Sequence, residues 1–266
     1  MDSVIRLASP APPEGAAIPV LFEDEHLLAL DKPPRLLTVP DPDDADRPSL
    51  LKLLHAGIAQ GKSWARERGL SFLMTAHRLD FETSGVLLLA RTKPVLAALA
   101  NLFGAPQPIL TFVALGQGAP PGDRFEVVAP LGAHPTKPGL MRIDRQHGKK
   151  SKTLVEVAER FAGYALLRCR PLPDRPHQIR AHLQSVRLPL AGDRSYGGRP
   201  LLLSHLKREY RLKPGQTERP LLSTAALHAE RMELDHPVTG QRLCLVAEWP
   251  KDLRVAVKYL RRYAPA

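Results

Sequence analysis

Four β-branched and aromatic runs, ILTFVAL (109–115), RFEVVAPL (124–131), TLVEVAERF (153–161) and YALLRCRPL (164–172), follow one another, divided by Gly/Pro turns and with no helix read between them. Neighbouring parallel strands need a crossover of a dozen or more residues, usually a helix, whereas antiparallel strands can be joined by a tight turn. The middle of the chain therefore excludes a doubly wound sheet and predicts an α+β fold with a mostly antiparallel or mixed sheet. Strand-like runs precede it at VLF (20–22), LLALD (27–31) and VLLLAR (86–91), whose first five residues are all apolar. Two more, around TAALHAERMEL (224–234) and RLCLVAEW (242–249), flank a Pro237–Gly240 turn. Helices are predicted at the margins. Ser49 is an N-cap for LLKLLHAGIA, and Pro94 opens a helix through Leu102 that Gly104 stops. Pro176 opens HQIRAHLQSV, and a last helix follows Pro250 with Leu253, Val257 and Leu260 at helical spacing.

Residues 1–19, rich in Pro and Ala, read as a flexible lead-in, 20–262 as one catalytic domain and 263–266 as a short tail; no repeat or composition break divides the middle. No apolar run approaches the ~20 residues that span a bilayer, and the N-terminus lacks a secretory signal. Cys169 and Cys244 lack the paired spacing of a zinc site and are expected as two buried free thiols in a reducing compartment, the cytoplasm. Charge is unevenly spread. Residues 1–140 hold 13 Lys+Arg against 15 Asp+Glu (−2), residues 141–199 hold 13 against 5 (+8), and residues 200–266 hold 12 against 7 (+5). A concentrated basic block is the footprint of a polyanion binder. It names a class of partner and no reaction.

Three stretches can carry chemistry. HRLDFETSG (77–85) runs straight into VLLLAR, so an acid at Asp80 sits on a loop held by a buried strand; Asp80, Thr83, Ser84 and Gly85 also suit a plain turn. Asp80 and Glu82 offer two carboxylates, as a glycosidase needs, but on one loop they are poorly spaced to flank a sugar. In RPHQIRAHL (175–183), Ile179, Leu183 and Val186 form an apolar stripe, with His177, Arg180 and Gln184 on the adjacent polar face. Arg180 can there reach a partly buried carboxylate and lower its pKa. His177 and His182 are five apart, not the four of a helical metal pair, so no metal is expected. The third stretch, LHA followed by DHPVTG (235–240), reads as a hairpin turn. No Gly-rich phosphate loop is present, and no nucleotide cofactor is expected.

In this order the stretches resemble the RluA-type pseudouridine synthases. HRLDFETSG is similar to the family's His-Arg-Leu-Asp-x-x-Thr-Ser-Gly signature, and RPHQIRAHL with PLAGDRSYGG to its later Arg-x-His-Gln-Ile-Arg-x-His-Leu … Gly-Asp-x-x-Tyr-Gly block. LFEDEHLLALDKPPRLLTVP resembles the opening strand-turn-strand ending in Asn/Asp-Lys-Pro, and LHAERMELDHPVTG and WPKDL the C-terminal elements; together the likeness spans about residues 20–262. It implies a bent mixed sheet with flanking helices and a central RNA-binding cleft. It implies conversion of uridine to pseudouridine in structured RNA, ribosomal or transfer, with Asp80 as the essential acid, acting as nucleophile on the ribose or as base at C2′. It implies Arg180 as the partner orienting Asp80, Arg78 bracing the stack around a flipped uridine, Leu183 walling the base pocket and His177 beside the substrate. Phe112, in FVALGQGAP, stands where the family carries tyrosine, and Asp174 where glycine precedes Arg175. Phe112 keeps a stacking face and loses a hydroxyl, which leaves a second reading: a degenerate member that binds RNA without isomerising it. No separate N-terminal S4-like RNA-binding module is expected, no membrane partner, and a monomer.

Overall fold

The computed structural model describes residues 4–7, 17–44, 46–104, 108–207, 209–212 and 215–266. The first half of the chain forms β1 (Val4–Arg6), β2 (Ala17–Glu23), β3 (Leu27–Lys32), α1 (Leu50–Ala59), α2 (Ser63–Arg66), β4 (Ser84–Ala90) and α3 (Lys93–Phe103). The middle forms β5 (Ile109–Gln117), β6 (Arg124–Val128), β7 (Leu131–Ala133), β8 (Met141–Ile143), β9 (Lys152–Phe161), β10 (Tyr164–Leu172), α4 (Gln178–Ser185) and α5 (Leu203–Leu206). β11 (Leu227–Asp235), β12 (Arg242–Val246) and α6 (Lys251–Tyr263) complete it. These elements gather into two compact units: residues 1–110 with 229–248, and residues 111–228 with 249–266.

In the first unit β1, β2, β3 and β4 pair antiparallel in sequence order, and β11 and β12 form the antiparallel hairpin read from DHPVTG. β4 is buried along its whole length, as an uninterrupted apolar run predicts for a strand covered on both faces. Gly85 is required there: its φ is +113°, and a Cβ would lie 2.2 Å from the Ala229 carbonyl oxygen. The hairpin turn is held by His236, whose Nδ1 accepts from the Val238 and Thr239 amides, so that Nε2 donates to Asp24 at 2.9 Å. The predicted caps form. The Ser49 hydroxyl accepts from the Lys52 amide at the start of α1, and α3 ends at Gly104.

The lead-in is not free where it is described. Ile5 lies opposite Ile18 in the β1–β2 pair, and both are fully buried in the apolar cluster with Leu30, Leu54 and Leu87. Burying two isoleucines, at about 1.5–3 kcal/mol each, offsets the ordering of a three-residue strand at roughly 1–2 kcal/mol per residue. Residues 8–16 lie outside the described residues. The tail differs likewise. α6 runs to Tyr263, the Ala162 amide donates to the Ala264 carbonyl, and Phe161 bridges Pro265. Of the thiols, Cys169 is buried and Cys244 exposed. β12 turns Leu245 inward, so Cys244, one residue earlier, faces out.

In the second unit β5, β10, β9 and β6 form an antiparallel sheet in that order. One face carries Val113, Leu115, Leu166 and Phe161, and α6 covers it with Leu253, Ala256, Val257 and Leu260. The opposite face carries Phe112, paired in register with Cys169, and Thr153, paired with Pro171. α4 lies against that side, because His182 bonds the Thr153 hydroxyl at 2.8 Å. β7 and β8 make a separate two-stranded hairpin against α4, through Leu131, Ala181, Met141 and Tyr196.

Candidate active site

In the first unit Asp80 sits on a turn closed by the Thr83 amide donating to the Asp80 carbonyl, so the stretch is both the turn its composition predicts and a mount for a carboxylate. Three side chains fix that turn. The Thr38 hydroxyl donates to the Leu79 carbonyl at 2.8 Å and accepts from its amide at 3.0 Å. The Thr75 hydroxyl lies 2.8 Å from both the His77 and the Leu88 carbonyl oxygens and donates its one proton between them. His77 accepts from the Leu88 amide on Nε2 and stacks on Phe103, with ring centroids 4.8 Å apart. Burial lowers the His77 pKa to about 3, so the ring is neutral and carries its proton on Nδ1. Asp80 is half-buried and Arg78 exposed.

Lys32 underlies this turn. It closes β3 opposite Gly85 and is fully buried, its ammonium donating to the Pro33 carbonyl at 2.9 Å and the Leu36 carbonyl at 2.7 Å. Burial pushes its pKa down to about 7, against the opposing pull of the Asp80 and Asp31 carboxylates. Asp31 is pushed up to about 6 by burial, with Lys32 and the Gly85 amide opposing and Glu248 adding to the rise. Asp80 thus has a buried cation in its field, which the sequence reading missed; the Asp-Lys-Pro triplet was its only signal.

In the second unit Arg180, 4% exposed, forks onto Asp193, Nε to Oδ2 at 2.7 Å and Nη2 to Oδ1 at 2.8 Å, and its guanidinium lies 4.8 Å from the Tyr196 ring centre. Asp193, also missed, has a fully buried side chain and lies in the Gly-Asp-x-x-Tyr-Gly block thirteen residues on. Two-point contact fixes the guanidinium plane. His177 is not on the helix face: it caps α4 in the left-handed region at φ 53°, and the helix begins at Gln178. Its Nδ1 lies 2.9 Å from the Tyr196 hydroxyl, so Tyr196 joins His177 and Arg180. That hydroxyl also accepts from the Met141 amide and bonds the Met141 carbonyl. One hydroxyl proton cannot serve both carbonyl and ring; with it on the carbonyl, His177 donates. Leu183 is fully buried on α4, Phe112 is 3% exposed on β5, and Asp174 is exposed. Of the basic block, Lys149 and Lys150 are exposed, whereas Lys152 pairs with Glu126 at 3.2 Å.

Residues 26–185 match the family profile described as RNA pseudouridylate synthase. The chain is 31% identical to ribosomal large subunit pseudouridine synthase D of Xanthomonas campestris pv. campestris, over 97% of this chain and 74% of that protein. It is 31% identical to ribosomal large subunit pseudouridine synthase C of Escherichia coli (strain K12), over 91% of this chain and 70% of that one. In fold it is similar to human RNA pseudouridylate synthase domain containing 4, with a TM-score of 0.66 at 22% identity, over 91% of this chain and 92% of the other.

Proposed function

The chain belongs to the RNA pseudouridylate synthase family, and from that premise we propose that this RNA-modifying isomerase acts on a uridine of ribosomal RNA with Asp80 as its essential group. The names of the bacterial relatives support ribosomal RNA over transfer RNA. Such a substrate puts the work of the enzyme in the cytoplasm.

The observation that carries the Asp80 assignment is its mount: a carboxylate on a turn clamped by Thr38 and Thr75, with the buried Lys32 ammonium acting on it. The reaction breaks the N1–C1′ bond, turns the uracil, forms C5–C1′, and returns to N1 a proton equivalent to the one C5 loses. Nothing leaves and no water enters. A single well-held carboxylate therefore suffices, as attacking group at C1′ or as base at C2′, where a glycosidase needs a pair. Arg180 is a second group the reaction needs, held in one plane by Asp193. Phe112 and Leu183 supply apolar wall for the base, Arg78 fills space vacated by the flipped nucleotide, and His177 contacts the substrate backbone.

The test maps pseudouridine in ribosomal and transfer RNA from cells with and without the gene, then complements the deletion. One ribosomal site is expected to vanish, to return with wild type and to stay absent with Asp80→Asn. Purified Asp80→Asn is expected to lose at least the roughly 10²–10⁴-fold that a positioned acid–base group supplies. A site lost from transfer RNA alone overturns the substrate; near-wild-type turnover by Asp80→Asn overturns the residue.

A further inference from the structure

α6 has two unlike faces. At 3.6 residues per turn, Leu253, Ala256, Val257 and Leu260 fall on the side buried against the sheet. Lys251, Arg254, Lys258, Arg261 and Arg262 fall together on the other and are exposed. The only acid of the helix, Asp252, lies off that ridge and accepts from the Ser223 amide at 3.1 Å and hydroxyl at 2.8 Å. The ridge runs about 16 Å from Lys251 to Arg262 at 1.5 Å per residue. It is held firmly at its C-terminal end, where Arg261 forks onto Glu159 of β9 at 2.7–3.0 Å. The sheet face beneath α6 continues along β10 from Leu166, past a register shift at Leu166/Leu167, to Arg168 and Arg170, both exposed. They line a groove of about 570 Å³ with Arg124, Glu126 and Glu156, in which Arg124 pairs with Glu156 at 3.5 Å.

We propose that this ridge, with Arg168 and Arg170 on the same sheet face, is a second RNA-binding surface that takes the phosphodiester backbone of the substrate RNA. Phe112 and α4, with Arg180 and Leu183, belong to the opposite face of that sheet, so these phosphates are distinct from those beside the reacting uridine. Five cations along one helix face fit a polyanion by charge, and their length meets several successive phosphates of a strand. The surface fixes a large folded RNA and takes no part in the chemistry. The inference rests on the reading of the chain as an enzyme of RNA and not on which uridine it modifies.

The experiment is the full-length Lys251→Gln/Lys258→Gln/Arg262→Gln variant, with Lys258→Glu as a second, milder change. Thermal unfolding is expected to match wild type, since all three side chains are exposed. Affinity for a short RNA duplex and for purified large-subunit ribosomal RNA is measured against salt. Each lost phosphate contact should flatten the logarithmic salt slope by roughly 0.9 for a duplex, so the triple variant should lose about two to three. Single-turnover pseudouridine formation at saturating RNA should be unchanged. An unchanged slope in an active enzyme overturns this surface and leaves the synthase reading intact. A slope flattened in the triple variant, when the wild type forms no pseudouridine in ribosomal RNA, upholds the surface and overturns the proposed substrate. If the substitutions weaken binding to vesicles of anionic phospholipid and not to RNA, the proposed partner is wrong.

Discussion

A lysine with no exposed surface must satisfy its ammonium inside the protein, and Lys32 does so with two backbone carbonyls and the field of two carboxylates. Its pKa near 7 has two consequences of opposite use. Between about 7 and the ordinary 10.5 the unfolded chain keeps a proton that the folded chain has released, so this group makes the fold more stable as pH rises through that window. The charge beside Asp80 is instead full below about 7 and lost above it. If that charge supports the reaction, the single-turnover rate falls as pH rises through about 7. Asp31, near 6, sets the lower edge of the range in which both neighbours are charged, with Glu248 and the Gly85 amide the other groups acting on it. Lys32→Met is expected to be slower at pH 6.5 and to lose the alkaline fall. A rate profile for Lys32→Met parallel to wild type would remove Lys32 from any role at Asp80. The triplet Asp31-Lys32-Pro33 was visible in the sequence, but its burial was not. It depends on where the carbonyls of Pro33 and Leu36 point, which follows from the path of the chain and not from residue type.

α4 shows the same limit for an element. The stripe of Ile179 and Leu183 was legible as helical periodicity, yet Gln178, Arg180 and His182 are buried with them. Hydropathy cannot announce polar groups that are buried because they are partnered. The partners can be followed proton by proton. The Ala129 carbonyl only accepts, so His182 Nε2 donates to it at 2.9 Å. Nδ1 therefore accepts from the Thr153 hydroxyl at 2.8 Å, and that hydroxyl accepts from Gln178 Nε2 at 3.2 Å. Gln178 gives its other proton to the Lys152 carbonyl at 2.9 Å. Burial holds the His182 pKa below the usual value, in keeping with a neutral ring. This chain fixes α4, and with it Arg180, to the edge of β9 and the end of β6. Thr153→Val should leave His182 Nδ1 unpartnered at a cost of about 1–3 kcal/mol, read as a lower midpoint in denaturant with an unchanged slope. Thr153→Ser should restore most of it. Equal losses for Val and Ser would mean that packing, not the hydroxyl, sets the stability here. The caps and apolar strands were legible because neighbours in sequence decide them; β1 was not, since Ile5 is ordered by Ile18 across residues that give no local signal.

For the whole molecule, the division into units sharpens what charge along the sequence only outlined. The first unit holds 13 Lys+Arg against 17 Asp+Glu, a net −4, and the second 25 against 10, a net +15. The chain leaves the first unit near Leu110, returns at Ala229 and departs again after Glu248, so no composition break marks a boundary. The 249–266 segment adds its basic helix to the basic unit although the twenty residues before it, 229–248, belong to the other unit. Counterion release counts only cations that meet phosphate, so lysines of the two units should differ in effect even where equally exposed. Replacing Lys52, Lys62 and Lys93 of the first unit by Gln is expected to leave the salt slope of RNA affinity unchanged. Replacing Lys149 and Lys150 with Lys152 in the second should flatten it. The flattening should fall short of three full contacts, because Lys152 already pairs with Glu126 and gains less by meeting a phosphate. Two contacts correspond to a change of roughly 1.8 for a duplex or 1.4 for a single strand. Both triple variants lower net charge by the same amount, so a general attraction between a basic protein and RNA predicts equal effects. Equal slopes for the two would mean that total charge, and not its confinement to the second unit, governs the encounter.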